Sequence, residues 1–337
     1  MEDVSPIAVR GPWFEDLSVG NEFDAPAVTL TAGHAALYQA ATGDRLRLPL
    51  DHQASGRATG RAEPIAHPLL AINVSIGQST LVSQRVKANL FYRGLTLRRP
   101  VHLGDTLFTI TRVAALRQNR AQAGRSATGV AALEITTRNQ HGEEVLRFWR
   151  CPMLPCRDPL AATGHADDLD KVGSTPTVED VAAVIPAWNV TDVIHEWRGR
   201  RGVALEPCQR FAIEARDTVT SAPELVRLTL NMAMTHVDAR LSHLGSRLVY
   251  GGHTLSIAFA QVTRAFPNLL TMLAWESCDH TGPVAEGDRL RSEVTVLQIR
   301  DHPPGALLEL RVETWAARGE PEREERVLDW RFWAWSA

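Results

Sequence analysis

In the stretch "NMAMTH", Asn231 precedes His236 at the Asp-x4-His spacing that suits an acid/base pair, with asparagine in place of the carboxylate. A histidine exchanges a proton near neutrality because its ordinary pKa is about 6.5. Asparagine cannot do so, although its amide can hold a water. Further on, "LVYGGHT" sets Gly251 and Gly252 at the start of an apolar segment. Adjacent glycines let the backbone approach a ligand closely, and the free N–H groups of a helix N-terminus favour developing negative charge. His236, Asn231 and Gly251 are therefore the candidate catalytic set. Tyr250, Gly252, His253 and Asp238 are candidate substrate-binding neighbours.

The remaining chemistry-bearing residues are less organised. In "CDHTG", Asp279 and His280 are adjacent, and neighbours on a regular strand face opposite sides, so both cannot enter one pocket. They are secondary candidates at a rim. His34, His102, His141, His165, His195, His243 and His302 show no ligand spacing, so no metal site is expected. Cys151, Cys156, Cys208 and Cys278 are too sparse for a disulfide framework in 337 residues. "CPMLPC" matches no CxxC pattern and reads as buried reduced thiols.

These residues need a scaffold, and an internal repeat supplies it. "PVHLGDTL" (100–107) returns as "PVAEGDRL" (283–290), and the same shift of 183 residues lays "PIAHPLLAI" on "RLVYGGHTL". Nearly the same shift pairs "VLRFWR" (145–150) with "VLDWRF" (327–332). In each copy an apolar helical segment, 67–80 or 253–266, precedes strand-like alternation such as "TLFTITRV" and "ALLELRVETW". The expectation is an α+β fold of two units, 1–155 and 186–337. A linker at 156–185, rich in Asp, Gly, Pro and Thr, joins them. Each unit is an antiparallel sheet wrapped on one helix.

The formal charge of −3 gives no general field for nucleic acid or an anionic membrane, and neither is an expected partner. The first residues have no basic or apolar leader pattern, and no apolar run reaches the roughly 18 residues of a bilayer span. The expected location is cytoplasmic.

The motifs "FEDLSVGNEFDAPAVTLTAGHAALYQAATGD", "PIAHPLL", "PVHLGDTL", "NMAMTHVD", "RLVYGGHTLS" and "CDHTGPVAEGDRL" together resemble the MaoC-like hydratase family. Within it, the chain is similar to the double-hotdog branch that includes mesaconyl-CoA (β-methylmalyl-CoA) hydratases and actinobacterial double-hotdog hydratases. The resemblance implies a double hotdog fold and hydration of a trans-2-enoyl-CoA, or the reverse dehydration of an (R)-3-hydroxyacyl thioester. It implies His236 as the acid/base, Asn231 at the family's aspartate position holding water, and the Gly251 N–H as oxyanion donor. Coenzyme A enters as the substrate's thioester, with no other cofactor. The branch points to a short branched or dicarboxylic acyl group, carried by CoA or acyl carrier protein.

The first unit matches the family pattern less well. Asp44 stands at the aspartate position, but no histidine follows five residues on, and His52 comes eight later. His67 matches the turn histidine, yet Pro68 replaces the oxyanion glycine and has no N–H to give. Asp44 and His67 are thus secondary candidates in a unit expected to be non-catalytic. Two other readings stay open, an acyl-CoA thioesterase and a catalytically degenerate acyl-CoA-binding protein, because a fold does not decide a reaction. Two fused units already form the usual pair, so a monomer with a pseudo-dimer core or a homodimer is expected.

Overall fold

Two helices, Pro68–Gln78 and Gly251–Ala265, form the centre of the molecule. Every residue of the first is buried, as are most of the second, and both are apolar around much of their circumference because sheet and partner helix surround them. Their entries are superimposable in backbone conformation: His67 caps the first at φ −59°, ψ 129°, and Tyr250 the second at φ −60°, ψ 130°. Pro68 suits a first helical position, where no intrahelical N–H is required. The computed structural model describes residues 9–120, 124–198, 205–242 and 244–337; His243 lies outside the described residues.

The first half contributes β1 (Glu22–Asp24), β2 (Val28–Thr29), β3 (Ala88–Leu97), β4 (Thr106–Gln118), β5 (Thr128–Arg138) and β6 (Glu144–Pro155). The second contributes β7 (Arg210–Ala212), β8 (Asp217–Thr218), β9 (Leu269–Asp279), β10 (Arg289–His302), β11 (Gly305–Arg318) and β12 (Arg323–Ser336). They form one antiparallel sheet in the order β1-β4-β5-β6-β3-β9-β12-β11-β10-β7, with β2 on β4 and β8 on β10. The halves meet edge to edge where Tyr92 and Thr96 of β3 pair with Cys278 and Ala274 of β9. Alternation along β4 and β10 turns one face onto the helices. This is a double hotdog of the α+β class.

The repeat is visible at the axis between the central helices. Asn73 Nδ2 donates to Ser256 Oγ at 2.9 Å, and the two residues are 183 positions apart. Segment 156–185 is held against the first sheet. Asp167 Oδ2 accepts from the Leu116 N–H, and the His165 carbonyl accepts from the Gln118 N–H. Leu169 and Val181 along it are buried. Cys151 and Cys156 are buried free thiols, both pushed up to about 11 by burial. Among the described residues no helix is long and apolar enough to cross a membrane.

Gly77 has a positional role in bringing the halves together. A Cβ there would stand 1.8 Å from the Thr229 carbonyl oxygen, on the loop that leads to Asn231. Gly77→Ala gains roughly 1 kcal/mol of helix propensity. Overpacking against a backbone group that cannot rotate away costs about 3 kcal/mol or more and outweighs it. A lower unfolding midpoint in denaturant is expected; an unchanged one would show that the loop is not seated on the helix.

Candidate active site

Two equivalent loops carry the candidate residues. The helix Ala32–Thr42 ends at Gly43 with φ 64°, and the helix Ala222–Leu228 is followed by Leu230 with φ 55°, so both chains reverse through the left-handed region. Asp44 Oδ1 then accepts from the Leu46 N–H at 2.7 Å, and Asn231 Oδ1 from the Ala233 N–H at 2.9 Å. A single helical turn follows in each, Arg47–Leu50 or Met234–Val237. The third residue of that turn is His236 in one half and Pro49 in the other.

Each loop is fastened to the opposite half. The Met232 N–H donates to Thr80 Oγ1 at 2.8 Å, and the Arg45 N–H to Thr263 Oγ1 at 3.3 Å. Thr80 and Thr263 are themselves repeat mates, so the second half's candidate loop is held by the short 3-10 turn, Ser79–Ser83, that follows the first half's central helix.

Around the second loop lies a cavity of about 810 Å3, within the range of ligand sites. His236, Asn231, Tyr250, Gly251 and His280 line it, joined by Thr80, Tyr92 and Arg150 from the first half. Its charged lining, among the described residues, is wholly basic: Arg85, Lys87, Arg150 and Arg240, with no Asp or Glu. In a chain of net charge −3 this is a local reversal that favours an anionic ligand.

His236 Nδ1 lies 2.7 Å from the Leu248 carbonyl, which can only accept, so Nδ1 carries the proton. Nε2 is then the lone-pair nitrogen, and no donor among the described residues meets it. Burial, with a further contribution from the Arg150 charge, lowers the imidazole's pKa to about 4 and keeps it in the base form. Asn231 has given its oxygen to the Ala233 N–H, so its Nδ2 is the group free to meet a ligand or water. At the helix entry, the Gly251 N–H has no intrahelical partner and no acceptor among the described residues.

His280 stands against that turn. A Cβ on Gly251 would come within 2.6 Å of His280 Nε2 and 2.8 Å of its Cε1. Nε2 is buried without a hydrogen-bond partner, and burial holds this imidazole at about 4 as well. Gly251→Ala must therefore displace His280 or the turn. We expect kcat/KM to fall roughly 10- to 100-fold with little change in melting temperature, because a displacement of about 1 Å costs on that order. Unchanged kinetics would remove Gly251 from the reacting centre.

Several residues expected at the site lie elsewhere. Gly252 is a packing glycine: a Cβ there would meet Asn73 Oδ1 at 2.0 Å and the Tyr250 ring at 2.5 Å. His253 is fully buried behind the turn, with Nε2 facing the Ala41 carbonyl at 3.4 Å. Asp238 is a helix cap: Oδ1 accepts from the Arg240 N–H and the carboxylate pairs with that guanidinium. Asp279 points away from the cavity on the exposed side of β9, opposite Asp329, while its neighbour His280 faces in, beyond the rim position expected for it.

In the first half, His67 Nε2 is 3.0 Å from Asp44 Oδ1, but too far off the N–H direction to count as a hydrogen bond. Both are buried, beneath Tyr38 and Phe259, and Pro68 offers no N–H. Arg98 and Arg99 pair with Glu144 and Glu143, and Arg289 and Arg291 with Glu322 and Glu324.

Arg150 and Tyr92 were not singled out in the sequence, though a signal existed. The "VLRFWR" and "VLDWRF" match places Arg150 opposite Phe332, a charge against an aromatic at the same core position.

A basic cavity with a lone-pair imidazole, an amide and a free helix-entry N–H thus sits within a double hotdog. No family model matches the chain. It is 46% identical to a conserved protein of Mycobacterium tuberculosis that is essential for bacterial survival during infection and has a double hotdog fold. That match covers 98% of this chain and 100% of the other, with a TM-score of 0.87. A protein described as a MaoC-domain dehydratase from Chloroflexus aurantiacus is 25% identical over 98% of this chain and 99% of its own, with a TM-score of 0.86. The β-methylmalyl-CoA dehydratase of Chloroflexus aurantiacus is 29% identical over 92% of this chain and 89% of its own length. The chain belongs to the MaoC-like double-hotdog hydratase and dehydratase family.

Proposed function

We propose that the protein hydrates a trans-2-enoyl-CoA, or runs the reverse dehydration, in the second-half cavity. The observation that carries this reading is the His236 tautomer: Nδ1 is committed to the Leu248 carbonyl and Nε2 is left as a base in a cavity whose basic lining suits a CoA thioester. The family membership and the named dehydratase relative support the same reaction class.

In the proposed step, Asn231 Nδ2 donates to the attacking water and His236 Nε2 removes its proton as oxygen bonds to C3. The C2–C3 π electrons move to the thioester carbonyl, and the Gly251 N–H receives the charge that develops on its oxygen. The imidazolium returns the proton to C2, which restores the carbonyl and the free base. His280 fixes the Gly251 turn from behind. The CoA phosphates meet Lys87 and Arg240 toward the exposed end of the cavity.

One observation favours a second reading, acyl-CoA binding without turnover: no carboxylate lines the cavity among the described residues, so the imidazole has no acidic partner. The loss of enoyl absorbance with crotonyl-, mesaconyl- and longer enoyl-CoAs separates the two. Turnover that requires His236 supports hydration. Binding without turnover across the panel supports the degenerate reading, and release of free CoA from a saturated acyl-CoA would indicate hydrolysis.

A further inference from the structure

We propose that Arg150 is the receptor for a second carboxylate on the acyl group, so that the cavity selects dicarboxylic enoyl thioesters. This rests on the cavity being an acyl-thioester site. Arg150 projects from β6 and is only 3% exposed, yet it lines the cavity and pairs with no acid among the described residues. Its Nε donates to Ser79 Oγ at 2.9 Å, and its Nη2 to the Ser79 carbonyl and Ser83 Oγ at 2.9 and 2.7 Å. Those bonds fix the fork, while Nη1 has no acceptor among the described residues. A buried guanidinium without a counter-charge is costly, so its presence calls for a reason.

The simplest structural reason is that Arg150 caps the end of the first central helix, where a cation is favourable. The second half argues against this as sufficient. Tyr92 pairs with Arg150 across β3 and β6, and their repeat mates Trp275 and Phe332 pair across β9 and β12. The mates of Ser79 and Ser83 are Val262 and Phe266. The fold thus closes the same corner with apolar residues when no cavity needs a charge.

The field of Arg150 also reaches His236 and lowers its basicity. A carboxylate seated on Arg150 would offset that field, so binding of the correct acyl group would strengthen the base beside it.

The test compares fumaryl-CoA with crotonyl-CoA, which carry a carboxylate and a methyl group at the same carbon, in wild type, Arg150→Gln and Arg150→Lys. Wild type should prefer fumaryl-CoA. Arg150→Gln should lose about a hundredfold or more in kcat/KM on fumaryl-CoA, as expected for breaking a buried charge pair, and less than about tenfold on crotonyl-CoA. Arg150→Lys should recover part of the selectivity, which a merely structural role would not produce. Equal losses on both substrates, or wild-type preference for crotonyl-CoA, would overturn the assignment.

If wild type turns over neither substrate, the hydratase reading fails, and the receptor is then tested by titration with the unreactive pair succinyl-CoA and butyryl-CoA. Tighter succinyl-CoA binding that Arg150→Gln abolishes keeps the receptor; equal binding removes it. Melting curves identify a variant that fails to fold, in which case Arg150→Lys alone decides through its ratio of the two substrates.

Discussion

His236→Ala is expected to lower kcat/KM for enoyl-CoA hydration by about 10²- to 10⁴-fold, the range for losing a general acid/base. The protein should stay folded, because the imidazole's one protein hydrogen bond goes to the Leu248 carbonyl, whose neighbouring N–H is already tied to the Thr235 carbonyl. The pH profile gives a second readout. Since the folded-state pKa lies below the ordinary 6.5, at about 4, the neutral base persists as pH falls. In the free enzyme kcat/KM should hold from neutrality down past 6.5 and decline only on approach to about 4. An acid limb near 6.5 would mean that a solvent-exposed histidine does the work. Activity unchanged by the substitution would move the proton chemistry away from this loop.

The repeat carried most of the fold in the sequence. The matches at 100–107 and 283–290, and at 64–72 and 247–255, locate both central helices and the strands after them, because a buried helix entry and a Gly-Asp turn tolerate few residue types. The candidate site was legible where backbone geometry dictates residue type: Asn231 in the capping loop, and Gly251 where a Cβ would strike His280. It was illegible where a residue could serve either packing or chemistry. Gly252 and Gly251 are adjacent and look alike in sequence, yet one makes room for Asn73 and the other faces the cavity. His253 falls one helical position beyond the turn, which rotates it away from the cavity into the interior. Asp238 reads as a motif residue and acts as a cap, the same role Asp51 fills by accepting from the Gln53 and Ala54 N–H groups. Arg150 lies more than eighty residues before the loop whose cavity it lines. The edge pairing of β3 with β9 and the hydrogen bond from the Met232 N–H to Thr80 bring the halves together there.

Asn231→Asp is expected to raise kcat rather than lower it. The first half shows that the loop accepts the carboxylate: Asp44 makes the same turn, with Oδ1 on the Leu46 N–H as Asn231 Oδ1 is on the Ala233 N–H. In the variant one oxygen keeps the cap and the other replaces Nδ2 in the cavity, so a donor that only holds water becomes an acceptor able to take its proton. The new anion enters a lining whose charged members are all basic, which lowers the cost of burying it. It also opposes the Arg150 field at His236, so the imidazole's pKa should rise from about 4 toward its ordinary value, and the acid limb of kcat/KM should move up with it. If proton transfer limits the wild-type rate, supplying the missing partner gives on the order of a 10²-fold gain. The same carboxylate competes for Arg150, so the gain should be larger on crotonyl-CoA than on fumaryl-CoA. A rate that falls on both substrates would show that the amide itself is required, holding the water by donation in a way that a carboxylate cannot reproduce.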